Sequence, residues 1–262
     1  MSASKPPSEI DRLWATLRAL TPARIGLRRS GDAVATREML AFQQAHAEAR
    51  DAVGRPLDVA ALAAAIEARG LSVVRLASRA PDHRTYLARP DLGRSLDEAS
   101  KAALAGGPKG FDLAIVLVDG LSANAVAAHA APLLDESIPT LAREGWRIGP
   151  VAIVERGRVA IGDEIGARMD AALVVVMVGE RPGLTSPNSL GVYLTWAPKV
   201  GRSDAERNCL SNIHPQGMSY REAASRLLYL CAQARVGKLT GVGLKDMSGL
   251  AMAERPRLER PL

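Results

Sequence analysis

The sequence predicts an α/β fold of Rossmann-like type, a mainly parallel sheet covered by helices, with a helical arm at the N-terminus. Three observations carry that reading. Short, nearly unbroken Val/Ile/Leu runs, Leu113–Val118 and residues 172–178 above all, have the composition of strands buried on both faces. Stretches with apolar residues at helical spacing alternate with those runs, the signature of βα units. Ahead of about residue 55 there is helical periodicity and no such strand, which divides the chain into an arm (1–55) and an α/β domain (56–262).

Taken in order, residues 8–20 set Ile10, Leu13, Trp14, Leu17 and Leu20 three and four apart. That is one face of an amphipathic helix, closed by Pro22 and expected to dock on the fold. Residues 36–53, rich in Ala and Gln, form a second helix opened by a Thr cap, and residues 58–68 a third, closed by Gly70. Strands are expected at 71–76, 113–118, 146–154, 172–178 and 190–196, with helices at 122–134, 138–144 and 161–169. A last helix, 219–234, aligns Ala223, Ala224, Leu227, Leu228, Cys231 and Ala234, so Cys231 reads as core. The Pro- and Arg-rich tail after Met252 reads as frayed.

Composition narrows the function classes. Apolar residues make up 47% of the 262, enough for a full core, with aromatics at only 3%. No purely apolar run is longer than that at 171–178, far too short to cross a bilayer, and the N-terminal residues do not resemble a secretory signal. Two cysteines, Cys209 and Cys231, give no disulfide framework, so a reducing cytosol is expected. Neither they nor the four histidines have zinc-ligand spacing, and no structural metal is expected. The net charge of +6 is spread among acids and lacks aromatic stacking platforms, which argues against nucleic acid as partner.

The strand at 172–178 runs into Gly179-Glu180-Arg181-Pro182-Gly183. In an open parallel sheet, loops at the carboxyl ends of strands are where ligands bind. Glu180 is either a surface carboxylate paired with Arg181 or an acceptor for ligand amide N–H groups, each bond contributing roughly 1.5–3 kcal/mol. Asp119-Gly120 followed by Ser122 reads as a turn and an N-cap, at the same sheet edge. No G-x-G-x-x-G follows that strand, Gly237-Lys238 lacks the rest of a P-loop, and residues 106–110 read as a flexible turn. No Ser-His-Asp or Cys-His set can be argued from spacing, so no complete active site is visible.

Several long words resemble, in order, the small subunit of ethanolamine ammonia-lyase. They are residues 21–27 (TPARIGL), 89–94 (RPDLGR), 118–123 (VDGLSA), 157–166 (GRVAIGDEIG), 179–184 (GERPGL), 188–193 (NSLGVY) and 205–212 (AERNCLSN). The resemblance covers residues 21–245, nearly the whole chain. It implies a subunit of an adenosylcobalamin-dependent lyase that turns ethanolamine into acetaldehyde and ammonia, with the substrate held in the barrel of a separate large subunit. It implies that residues 56–262 contact the cobalamin, through Val159, Glu180 and Cys209. By themselves, Val159 would be ordinary packing and Cys209 a small buried hydrophobe. It further implies six large and six small subunits, in the cytoplasm or inside a protein-shelled microcompartment.

Asn212-Ile213-His214-Pro215-Gln216-Gly217 nearly spells D-x-H-x-x-G, in which a histidine ligates cobalt from below. Asn stands where Asp would polarise the imidazole, and the resembled enzyme keeps the cofactor's own base. His214 is therefore expected to be a loop or interface histidine. Two other readings stand beside the lyase subunit: a non-catalytic cobalamin or nucleotide carrier with a Rossmann-like fold, and a stand-alone nucleotide-dependent oxidoreductase.

Overall fold

A computed structural model describes residues 8–27, 29–186 and 188–249; the tail expected to fray lies outside them. The chain begins with α1 (Glu9–Ala19), a two-stranded ribbon of β1 (Arg29–Ser30) and β2 (Ala33–Val34), and α2 (Thr36–Gly54). Then follow α3 (Val59–Glu67), β3 (Val73–Ala77), α4 (His83–Ala88), α5 (Glu98–Ala105), β4 (Leu113–Val118) and α6 (Ala123–Arg143). The chain continues through β5 (Val151–Glu155), α7 (Ile161–Arg168), β6 (Leu173–Gly179), β7 (Leu190–Trp196), β8 (Asn208–Ile213) and α8 (Tyr220–Gly237).

Six strands form one sheet in the order β3-β5-β4-β6-β7-β8. The first four run parallel; β7 is antiparallel to β6, and β8 to β7. The alternation of side chains along each strand divides the core in two. Leu113, Ile115, Leu117, Val175 and Met177 face α6 and α8, whereas Ala114, Val116, Val118, Val174 and Val176 face Ile161 and Ile165 of α7. Every residue of β4 and β6 is buried, as expected of unbroken apolar runs covered on both faces. On the far side of the sheet the cover is incomplete. α7 packs over β4 and β6, while on its side of β7 and β8 Tyr193 is half-buried and Cys209 exposed.

Several expectations need correction. Residues 122–144 form one helix instead of two, although Pro132 and Pro139 lie inside it. Each proline forfeits one intrahelical hydrogen bond, but Val126, Ala130, Leu133, Leu134 and Leu141 bury one continuous face against the sheet and hold the helix together. The strand expected at 146–154 begins only at Val151, with Trp146 buried ahead of it. Thr36 lies inside α2, whose cap, Ala35, makes no side-chain bond. β8 went unrecognised because NCLSNI has weak strand propensity and buries only Leu210 and Ile213. α4 and α5 were missed despite legible caps, Asp82 on the Thr85 N–H and Asp97 on the Ser100 N–H, both at 2.8 Å. The apolar face of α1 does not dock: Ile10, Leu13 and Leu20 are exposed and the helix has no buried residue.

The ends of β4 and β6 approach so closely that only glycine fits. A methyl group on Gly179 would collide with the backbone oxygens of Ser122 and Asp119. Gly179→Ala is expected to cost about 3 kcal/mol, the overpacking range, measured as a drop in the urea midpoint at unchanged m-value.

Candidate functional site

β4 leads into α6 on one face of the sheet, and its neighbour β5 leads into α7 on the other. Such a divergence opens a crevice at the carboxyl ends of the strands, the usual ligand position in open α/β sheets. Asp119 sits at this point and binds both loops. Its carboxylate accepts the N–H of Gly120 (2.9 Å), Gly157 (3.1 Å) and Arg156 (2.6 Å). Arg156 is thereby held at φ 56°, a left-handed conformation few side chains adopt. Beneath the crevice the Tyr86 hydroxyl, wholly buried, lies 2.8 Å from Gly120 O and 3.0 Å from Gly157 O, sharing one proton between two carbonyls. Burial outweighs the three N–H donors and raises the Asp119 carboxyl to about 6. Ser122 caps α6 on the Ala125 N–H, so the turn-and-cap reading of this loop holds alongside its place at the sheet edge.

The loop that Asp119 fixes carries Val159, two residues beyond Gly157. The other two expected residues come from the antiparallel strands. Tyr193 stands opposite Val176 on β6 and Cys209 on β8, so it and Cys209 share the α7 side of the sheet. Glu180, two residues past Val178, follows the same parity and rests against Gly191, where a Cβ would come within 3.0 Å of its Oε1. Glu180 Oε2 accepts from Ser189 Oγ (2.7 Å) and from the Asn212 N–H (3.1 Å). Oε1 has no donor among the described residues, and no ion pair joins Glu180 to Arg181 among them. Thus Glu180 is not a surface partner of Arg181. Its position is set by Oε2, leaving Oε1 to accept a further bond.

Tyr193 stands near Glu180 and Cys209 and lines a cleft with Val159, and sequence reasoning did not single it out. It packs on the α7-side core, as Val159 does, and stands opposite Cys209 on the neighbouring strand. Burial first, then Cys209 and the Glu180 charge, push the phenol above its ordinary range. Cys209 is exposed, contrary to the expectation of a buried hydrophobe. Its sulfur is nevertheless crowded, and that desolvation, with Glu180 nearby, raises the thiol. A raised thiol is a poor nucleophile. Cys231 is core as expected, its thiol pushed up to about 12 by burial.

Val159 and Tyr193 also line a cleft of about 650 Å³ between the α7 loop and the segment ahead of β8. Its wall is set by a buried ion pair that sequence reasoning missed. Arg207 holds Asp163 with two bonds of 2.7 Å, and adds Thr195 Oγ1 (2.9 Å) and Arg202 O (3.0 Å). The neighbouring Glu164 accepts the Leu96 N–H at 2.9 Å and pairs with Arg168. The signal was present as the word GDE beside AERN, but pairing across 44 residues is invisible to local spacing. His214, by contrast, is occupied locally: Nε2 lies 2.8 Å from Asn212 Oδ1, and Nδ1 accepts the Gln216 N–H at 3.3 Å. Among the described residues no group of three or more His, Cys, Asp or Glu converges as a metal set, and no helix is long and apolar enough to cross a membrane.

Residues 11–245 match the family model for the ethanolamine ammonia-lyase light chain (EutC). The chain belongs to that family. Its relatives include proteins named ethanolamine ammonia-lyase small subunit from Ralstonia nicotianae, 50% identical across 93% of this chain and 92% of that protein. Another, from Pseudomonas aeruginosa, is 51% identical across 92% and 90% respectively. A third, from Xanthomonas campestris pv. campestris, is 52% identical across 94% and 90%. On this light-chain fold, residues of the segments GRVAIGDEIG and AERNCLSN line the cleft together with Tyr193.

Two outcomes are expected. The Asp119 13C-carboxyl resonance should titrate with a midpoint near 6, against about 3.9 for an ordinary aspartate. A carboxyl raised on folding contributes stability that is complete below about pH 4 and lost as pH rises through its folded value. Asp119→Asn should therefore remove that part of the stability change between pH 4 and 7. Separately, Arg207→Gln should cost about 3–5 kcal/mol by stranding Asp163, and adding Asp163→Asn should cost less than the sum of the single changes. Additive losses in urea unfolding would contradict the coupling.

Proposed function

We propose that this chain is the small subunit of an adenosylcobalamin-dependent ethanolamine ammonia-lyase, completing the cofactor site with a large subunit that holds ethanolamine. The observation that carries the reading is that Val159, Glu180 and Cys209 lie with Tyr193 on the α7 side of the sheet, where Cys209 is exposed, in a chain half identical to relatives named ethanolamine ammonia-lyase small subunit. The residues suit a corrin, a broad apolar ring rimmed by amides. Val159 and Tyr193 offer apolar surface, Glu180 Oε1 can accept an amide N–H, and Gly191 keeps the sheet surface low beside it.

When bound, the cofactor supplies the radical chemistry, and the protein orients and encloses it. In this reading Glu180 fixes the rotation of the ring through one amide. Val159, Tyr193 and Cys209 exclude water from its rim without proton transfer of their own. Ammonia loss takes place on the large subunit, six of which assemble with six of these chains in the cytoplasm.

The test is acetaldehyde release from ethanolamine with adenosylcobalamin, using this chain, a cognate large subunit, and both together. Activity only in the mixture is expected. No activity in a folded complex, with stable cobalamin binding by this chain alone, would instead favour a carrier. Glu180→Ala should raise the cofactor concentration for half-maximal activity about tenfold or more, the loss of one charged hydrogen bond, while assembly is unchanged. An unchanged cofactor dependence would remove Glu180 from the site.

A further inference from the structure

Of the four arginines lining the cleft, two are compensated and two are not. Arg207 is neutralised by Asp163 and touches Asp204, and Arg202 pairs with Glu206. Arg158 has no carboxylate partner among the described residues. Its guanidinium stacks over the Tyr86 ring at 4.3 Å, its Nη2 makes one long bond to Tyr86 O (3.4 Å), and its buried Nε has no acceptor. Arg94, exposed at the cleft's edge, makes no side-chain hydrogen bond or ion pair among the described residues. Elsewhere in this protein, guanidinium groups as deeply placed as Arg158 are matched by an acid, as Arg168 is by Glu164. An uncompensated charge held in a cleft wall is costly unless a ligand supplies the counter-charge.

The two arginines are also built side by side. The Arg158 N–H donates to Gly93 O at 2.7 Å. Gly93 has no room for a side chain: a Cβ would lie 3.0 Å from Arg158 Cγ and 3.1 Å from both Arg156 O and Tyr86 Cε2. The RPDLGR word thus places Arg94 next to Arg158 and leaves space for the latter to lie flat on Tyr86. Planar guanidinium groups that converge on one cleft suit a tetrahedral oxyanion.

We infer that Arg158 and Arg94 form an anion subsite in this cleft that takes a phosphate ester of the bound ligand. The inference rests on the cofactor reading for the identity of that ligand, since adenosylcobalamin carries a phosphodiester in its nucleotide tail. Glu180 then contacts the ring while the arginines hold the tail, two anchors of opposite charge on one molecule.

The experiment titrates inorganic phosphate, at constant ionic strength, into the full chain labelled with 15N-arginine. The Arg158 and Arg94 Nε–H resonances, assigned through Arg158→Gln and Arg94→Gln, should shift saturably with phosphate and less with acetate. The exposed Arg94→Gln, which leaves the fold intact, should weaken phosphate binding about tenfold. Gly93→Ala, which removes no charge, should weaken it too by displacing Arg158. With the large subunit present, adenosylcobalamin should compete with phosphate, whereas cobinamide, which lacks the phosphodiester, should not. Absence of a saturable shift overturns the subsite, even if cobalamin binds. A saturable shift with no corrinoid bound by the complex of this chain and the large subunit keeps the subsite and overturns the cofactor reading.

Discussion

Two polar side chains at the base of the β4–β5 crevice join its two loops and so fix the wall that carries Arg158 and Val159. Strands β4 and β5 send their chains to opposite faces of the sheet, so the two loops diverge and need a tie between them. Asp119 ties them with three N–H bonds, and Tyr86 with one hydroxyl set between two carbonyls. Both are enclosed, where a hydrogen bond is electrostatically stronger and an unmade one more costly. The loop they fix delivers Arg158 and Val159 to the cleft, and the Tyr86 ring serves Arg158 as a platform. One tyrosine therefore fastens the scaffold with its hydroxyl and positions a charge with its face.

The second half of the site is set by strand parity and glycine. Val176, Tyr193 and Cys209 stand in line across three strands, so a single register decides that all face the same way. A shift of one residue in β7 or β8 would turn Tyr193 and Cys209 to the α8 side. Gly179 lets β6 end against the α6 cap, and Gly191 leaves room for the Glu180 carboxylate. The antiparallel pair beyond β6 is what departs from a simple parallel sheet, and it supplies Tyr193 and Cys209.

What could be read from the sequence follows from how local its causes are. β4 and β6 were legible because burial on both faces leaves an unbroken apolar run, and α8 because its stripe repeats every turn. β8 was not, because an edge strand with Ser, Asn and Cys on its open face looks like a loop. The α6 prolines suggested a break that only tertiary packing overrules. Val159, Glu180 and Cys209 came from family resemblance, and the residues alone gave a reason only for Glu180. Tyr193, the Arg207–Asp163 pair and the double role of Tyr86 depend on contacts between distant segments, which no spacing rule encodes.

The two N-terminal helices have a consequence for how the chain behaves by itself. Ile10 and Leu13 on α1, Leu20 at its C-terminal end, and Met39, Leu40 and Phe42 on α2 are exposed to water. Exposed apolar side chains grouped on two neighbouring segments drive self-association as concentration rises. The apparent melting temperature of the isolated chain is then a property of a solution at a given concentration, since any species that binds the folded form displaces its unfolding by mass action. Light scattering would follow protein concentration before it followed temperature.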